Sequence, residues 1–282
     1  MAYIRLQGGL GNQLFIWSAA HYLSRITNGP IKLVSNPDNV HVLIQQLANV
    51  TQRDIKLVPG KLARIFFKLC EIARAKNRRL FDFINRNYMY FSEQQDLEIP
   101  IEILAEAFLV EGFFQRAWIV EEVWDTLSTE IDAAMMFFSE YCPEVQNMET
   151  ALHVRRGDYV LSPNTWGLLS LRYYQEVLGN LEGVLCFTDM KIDQANDFFQ
   201  KISGIQILTP VQSNEIGVLL ALSKMRKVVI ANSSLSWWGG FIAAKRGAIV
   251  IAPNPWFLHS ASWSEEIFPS VFIRNKAIFT SH

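Results

Sequence analysis

Residues 228–251 read Val-Val-Ile-Ala-Asn-Ser-Ser-Leu-Ser-Trp-Trp-Gly-Gly-Phe-Ile-Ala-Ala-Lys-Arg-Gly-Ala-Ile-Val-Ile. Val228–Ala231 and Ala248–Ile251 are short apolar runs rich in β-branched residues, and Leu235–Ala244 between them is uncharged and of helical length. Two buried strands joined through a helix form a parallel pair, which needs a crossover of this length. The turn Asn232-Ser233-Ser234 opens the helix. Serines there are ordinary caps, and unpaired N–H groups with the helix dipole also make such a turn an anion site. Trp237 and Trp238 read as core, and Gly239 and Gly240 as positions that permit close packing.

The same alternation runs outward from this unit. Strands are expected at Ala151–Val154, Val184–Phe187 and Ile205–Leu208, with helices at Ser170–Gly179, Lys191–Ile202 and Glu215–Lys224. Towards the N-terminus, Tyr3–Gln7 and Ile31–Val34 read as strands around a helix from Asn12 to Arg25. Residues 61–86 read as helical and basic, Leu109–Phe113 as a strand, and Trp118–Phe138 as a helix. The pattern predicts an α/β protein with parallel sheets covered on both faces. The polar stretch Pro143–Glu149 divides it into residues 1–148 and 149–282. Ligands in such folds bind beyond the carboxyl ends of the strands.

Composition narrows the classes. Of 282 residues, half are apolar, which supplies a large core, and 26 basic residues stand against 27 acidic ones. That balance argues against a dedicated nucleic-acid binder. Cys70, Cys142 and Cys186 are far apart and form no Cys-x-x-Cys pair, so neither a zinc site nor a disulfide framework is expected, and a reducing, cytoplasmic compartment is the reading. Leu6–Ser24 lacks charge but carries three glycines, Asn12, Gln13 and His21, which disfavours a membrane span. Only Arg5 precedes it, too little for a signal peptide.

Three strand ends carry candidate chemistry. After the first strand, Gly8, Gly9 and Gly11 allow close backbone approach, and Asn12 and Gln13 offer amides at a helix start. A nicotinamide fingerprint fails here. Leu14 stands where the third small residue belongs, and Ser35 and Asn36 stand where an acid would read the ribose. After Val154, the run His153-Val-Arg-Arg-Gly-Asp-Tyr159 is the densest polar cluster. Strand alternation sends Arg155 and Arg156 to opposite sides, so one faces a ligand and the other supports the loop. Arginine is the side chain best shaped to hold a pyrophosphate. Asp158 is the candidate general base, or else a brace for an arginine. After Phe187, Asp189 is either a ligand contact or the cap of the next helix.

These segments resemble bacterial α-1,2-fucosyltransferases of glycosyltransferase family 11. The matching residues are Gly8–Phe15, Gly112–Gln115, His153–Tyr159, Asp189, Ala231–Gly239, Ile251–Pro253 and Trp256-Phe257, in the family's order. The resemblance implies a GT-B-like fold of two Rossmann-like domains, with the donor site in the cleft and the nucleotide on the C-terminal domain. It implies GDP-fucose as donor, a galactoside 2-hydroxyl as acceptor, inversion, and no metal. Donor contacts are then Gly9, Gly11, Asn12, Gln13, His153, Arg155, Asp189, Asn232, Ser233 and Ser234, with Arg155 and Asp158 catalytic. The chain departs from the family at Val218 and Leu220, where an acid and a tyrosine are common. The alternatives are another GDP-sugar or acceptor hydroxyl, or a silent nucleotide-sugar-binding protein.

Two further sequence features bear on that reading. No Asp-x-Asp occurs, and Asp96-Leu-Glu98 is the nearest approach to a metal-holding pair. Residues 61–86 hold eight basic and two acidic residues, with Ile65, Phe66, Leu69, Ile72 and Ala73 at helical spacing. They read as a solvated helix face on the acceptor domain. The alternative is a peripheral contact with anionic lipid at the inner membrane, which would suit a lipid-linked acceptor.

Overall fold

The strand–helix–strand unit that decides the fold forms as read. The computed structural model describes the chain apart from residues 36–38, 87–89, 94–98, 144–147, 180–181, 210–213, 259–264 and 281–282. It divides into two compact units, Met1–Ala134 and Met135–His282. The division falls at the end of a long helix, ahead of the polar stretch at 143–149.

The first unit carries β1 (Ala2–Arg5), β2 (Ile31–Val34), β3 (Ile55–Val58), β4 (Tyr90–Ser92) and β5 (Leu109–Glu111). They form one parallel sheet in the order β3-β2-β1-β5-β4. Its helices are α1 (Leu10–Thr27), α2 (Val42–Val50), α3 (Lys61–Lys76), α4 (Arg78–Arg86) and α5 (Ile101–Glu106), and α6 (Ala117–Met136) leads out of it. Helix α1 is buried without a break from Gln13 through Ser24, which is why its sequence shows no polar face. The basic stretch is two helices rather than one. Asn77 leaves the helical region at φ −145° and ψ 86°, and its Oδ1 accepts the Leu80 N–H at 3.1 Å, which starts α4 afresh.

The second unit carries β6 (Thr150–Val154), β7 (Val184–Thr188), β8 (Ile205–Leu208), β9 (Lys227–Val229), β10 (Ile249–Asn254) and β11 (Phe272–Lys276). Its helices are α7 (Pro163–Trp166), α8 (Leu171–Leu178), α9 (Ile192–Phe199), α10 (Glu215–Leu222) and α11 (Ser234–Lys245). Read from β8, the parallel sheet runs β8-β7-β6-β9-β10-β11. That is the doubly wound dinucleotide-fold order 3-2-1-4-5-6, whose switch point lies between its first and fourth strands, here β6 and β9. In the first unit the reversal falls between β1 and β5. Both units therefore have the expected α/β, Rossmann-like architecture of the GT-B-like class.

The α11 glycines do what the sequence suggests. A Cβ on Gly239 would lie 2.7 Å from Leu222 of α10, and one on Gly240 would lie 2.9 Å from Ile230 and 3.0 Å from Val250. Helix α11 thus sits directly on both a helix and the sheet. Trp237 and Trp238 are fully buried, and the Trp237 indole donates to the Ile267 carbonyl at 2.6 Å. Strands β3, β4 and β11 were not expected from the sequence.

Candidate functional site

At the end of β6 the chain leaves the sheet and turns into the β6–β9 switch point. Both oxygens of Asp189, at the end of neighbouring β7, accept from this loop. Oδ1 takes the Arg156 N–H at 2.7 Å and Oδ2 the Gly157 N–H at 2.9 Å. The Arg155 guanidinium lies 3.1 Å from Oδ2 through Nη1, and its Nη2 donates to Asp158 Oδ1 at 2.8 Å. Arg155 is thus held in a fork between two carboxylates, with its side chain 31 % exposed. Gly157 is required here for space: a Cβ would fall 2.6 Å from Asp189 Oδ2.

Arg156 takes the supporting role that alternation predicts. Its Nη1 donates to the Leu169 carbonyl at 3.3 Å, and its guanidinium lies 4.5 Å from the centre of the Phe198 ring. Asp189 is not the cap of α9, whose N-cap is Lys191. The Asp189 carboxylate is the anchor of the arginine loop instead.

His153 is buried, and its Nδ1 has no hydrogen-bond partner among the described residues. Burial pushes its pKa down to about 4, with Arg155 adding to the effect and Asp189 opposing it. The imidazole is therefore neutral at physiological pH and too weak a base to take a hydroxyl proton there.

The β9 end is tied to the same loop. Tyr159 donates its hydroxyl to the Asn232 carbonyl at 2.8 Å. Burial raises the Tyr159 pKa, so the phenol stays protonated as that donor. The buried Asn232 amide donates to the carbonyls of Trp166 and Gly167, each at 2.9 Å. Ser233 is buried and Ser234 half-buried at the start of α11. No side-chain bond caps this helix at Ser233; Ser236 turns back to accept the Ala231 N–H at 2.9 Å. Val218 and Leu220 are buried in apolar α10.

The first unit repeats the device at its own switch point. Glu93, just after β4, accepts the N–H groups of Phe113 and Phe114 at 2.9 and 2.7 Å and pairs with Arg116 at 3.2 Å. A Cβ on Gly112 would lie 2.6 Å from Glu93. In both units a carboxylate from an adjacent strand end gathers two consecutive loop N–H groups and an arginine, across from a glycine. Glu93 stands out from none of its neighbours in the polar run 92–98, and the groups it gathers lie 20 to 23 residues further along the chain.

Across the β1–β5 reversal, Gln115 donates to Asn12 Oδ1 at 2.7 Å. Gly8 is left-handed at φ +77°, and a Cβ there would meet Asn12 Nδ2 at 2.7 Å. Gly9 is exposed at the start of α1 and Gly11 is buried within it. The buried Gln13 amide is engaged by the protein itself. It donates to the Gly8 and Asn39 carbonyls at 2.9 and 2.7 Å and accepts the His41 N–H at 3.1 Å. Beside these residues lies a cavity of about 720 Å³, lined in part by Arg5, His41, Arg64, Lys68 and Glu71. Arg5 is paired with Glu71 and, at 2.6 Å, with Glu111. The position Asn36, and the pair Asp96-Leu-Glu98, lie outside the described residues.

Both switch points thus carry an arginine held by a carboxylate. The family model described as Glycosyl transferase family 11 matches residues 1–268. An Escherichia coli alpha-1,2-colitosyltransferase is 23 % identical, over 96 % of this chain and 97 % of that protein. The Escherichia coli O-antigen biosynthesis glycosyltransferase WbnK is 23 % identical over 90 % of this chain and 94 % of that protein. Among solved structures, a mutant of Arabidopsis thaliana FUT1 in complex with GDP aligns with a TM-score of 0.51 at 9 % identity. It covers 89 % of this chain and 69 % of that one. At that identity the likeness speaks to the fold alone.

Proposed function

The chain belongs to glycosyltransferase family 11, and on that premise we propose that it transfers L-fucose from GDP-fucose to the 2-hydroxyl of a terminal galactoside, with inversion. The observation that carries this reading is the Arg155 fork, fixed by Asp158 and Asp189 at the switch point of the second unit. In the proposed reaction the oxygen of the acceptor hydroxyl attacks the anomeric carbon of fucose, and its proton passes to solvent water. The bond from that carbon to the β-phosphate oxygen breaks, and GDP leaves with the electron pair. Arg155 meets the charge that develops on the β-phosphate. Fixed donors aimed at developing charge are worth about 3–4 kcal/mol each. The start of α11, with Ser233 and Ser234, supplies further donors to the same phosphates. His153, Asn232 and Asp189 belong to the nucleotide side as contact or support. Asp158, 63 % exposed and hydrogen-bonded to the fork, acts as the brace that orients Arg155 in this account.

The colitosyltransferase relative favours one second reading. Colitose is L-fucose without its 3-hydroxyl, so the same phosphate and base contacts would accept either GDP-sugar. The discriminating contact is a hydrogen bond to that hydroxyl. Purified enzyme given a galactoside and GDP-fucose, GDP-colitose or GDP-mannose in excess EDTA tests the donor and the metal question together. GDP release is expected from GDP-fucose, undiminished by EDTA. Release from GDP-colitose alone would replace the donor, and full loss in EDTA restored by Mg²⁺ or Mn²⁺ would overturn the proposal that Arg155 meets the phosphate charge without a metal ion.

A further inference from the structure

Helix α3 has two apolar faces, and only one is covered. Ala63, Phe67, Cys70 and Ala73 are buried against the first unit. Leu62, Ile65, Phe66, Leu69 and Ile72 form a second stripe at 62, 65, 66, 69 and 72, and all five are exposed, Leu62 by 76 %. Helix α4 continues it with exposed Leu80 and Phe83. An ordinary surface helix has one apolar face and a polar opposite side. A contiguous second stripe of large aliphatic and aromatic residues marks an interaction surface.

Charge identifies the partner. Residues 61–86 hold eight basic and two acidic residues, which leaves 18 basic against 25 acidic in the rest of the chain. Glu71, one of the two acids, is paired with Arg5. Exposed Lys61, Lys68, Lys76 and Arg79 lie on the same two helices. Lysine is depleted at the cores of protein–protein interfaces, whereas its long stem lets it rim an apolar face at a lipid surface with the ammonium among head groups. A symmetric contact between two copies through this face would bring like charges together. Among the described residues no helix is long and apolar enough to cross a membrane, so the mode is interfacial.

We infer that the exposed face of α3 and α4 docks on an anionic phospholipid bilayer, with Leu62, Phe66 and Leu69 in the acyl boundary and the lysines among the head groups. The acidic remainder of the chain is repelled by the same surface, which orients the first unit with this face down. The inference does not depend on which sugar is transferred.

Vesicle flotation of the full chain tests it, with vesicles of phosphatidylcholine alone and vesicles containing about one-third phosphatidylglycerol. Binding is expected to the anionic vesicles only, and to weaken as salt is raised to about 0.5 M. Leu62→Ser/Phe66→Ser/Leu69→Ser and, separately, Lys61→Glu/Lys76→Glu should each lower the partition coefficient at least about tenfold. Circular dichroism should be unchanged, since the replaced side chains face solvent. Equal binding to both vesicle types, no binding to either, or wild-type binding by a folded variant of either kind would overturn the inference. So would a dimer in sedimentation that the triple serine variant dissociates while no vesicle binding is found.

Discussion

Arg155→Ala is expected to lower turnover about 10²–10³-fold, the cost typical of removing one fixed donor from a site of developing charge. Arg155→Lys should still cost at least about tenfold. A lysine ammonium keeps the charge but cannot span Asp158 and Asp189 while presenting a planar fork to phosphate. Both carboxylates would then close on a point charge, or one would be left without its partner. Initial rates at saturating donor check this. Near-wild-type turnover with either residue would remove Arg155 from the proposed reaction.

The second large effect is expected at Asp189. Its carboxylate gathers the Arg156 and Gly157 N–H groups and the Arg155 guanidinium within 3.1 Å. Hydrogen bonds to a charged group contribute about 1.5–3 kcal/mol each. Asp189→Ala removes three acceptor contacts at once and frees the loop that carries the fork. Turnover should fall about 100-fold or more, and GDP affinity measured by calorimetry should fall about tenfold with it. Asp189→Asn should be nearly as damaging, because one oxygen becomes an amide donor facing other donors. A variant that keeps GDP affinity while losing turnover would mean that Asp189 acts on the chemical step rather than through the loop. Asp158→Asn supplies the contrast. As a brace it should lower turnover and GDP affinity together, and as a base it would lower turnover alone.

The elements legible in the sequence were those with a mainly apolar run of the right length. Ile31–Val34 and Ile205–Leu208 are strands with the expected bounds, and α11 differs by one residue at each end from the helix read at Leu235–Ala244. Strand β2 is buried or half-buried throughout and α11 is buried from Ser236 to Ala243, so composition alone marks them. Strands β3, β4 and β11 are three to five residues long at the edges of their sheets, where one side needs no apolar cover. Arg274 and Lys276 therefore mask β11, whereas β3 repeats the Ile-Lys-Leu-Val of β2 and carries the same strand signal. The break at Asn77 was hidden because the basic and apolar spacing continues across it.

The site was legible as a set of strand ends but not as a set of contacts. Arg155, Asp158 and Asp189 were all singled out, and the structure brings them together across two strands. The link from Asp189 to the backbone of the arginine loop has no sequence signature, because β6 and β7 become neighbours only in the sheet. Glu93 was invisible for the same reason. Gln13 shows the opposite case, an amide at a suggestive position that is filled by Gly8, Asn39 and His41.

Inverting transfer to a 2-hydroxyl is read from the linkage of the product. The enzyme, GDP-fucose and a terminal β-galactoside are incubated, and the isolated product is assigned by two-dimensional NMR. The expected product carries an α-L-fucosyl residue whose anomeric carbon correlates with the galactose 2-position. A β-linked fucose, a linkage to another hydroxyl, or free fucose with no glycoside formed would contradict it.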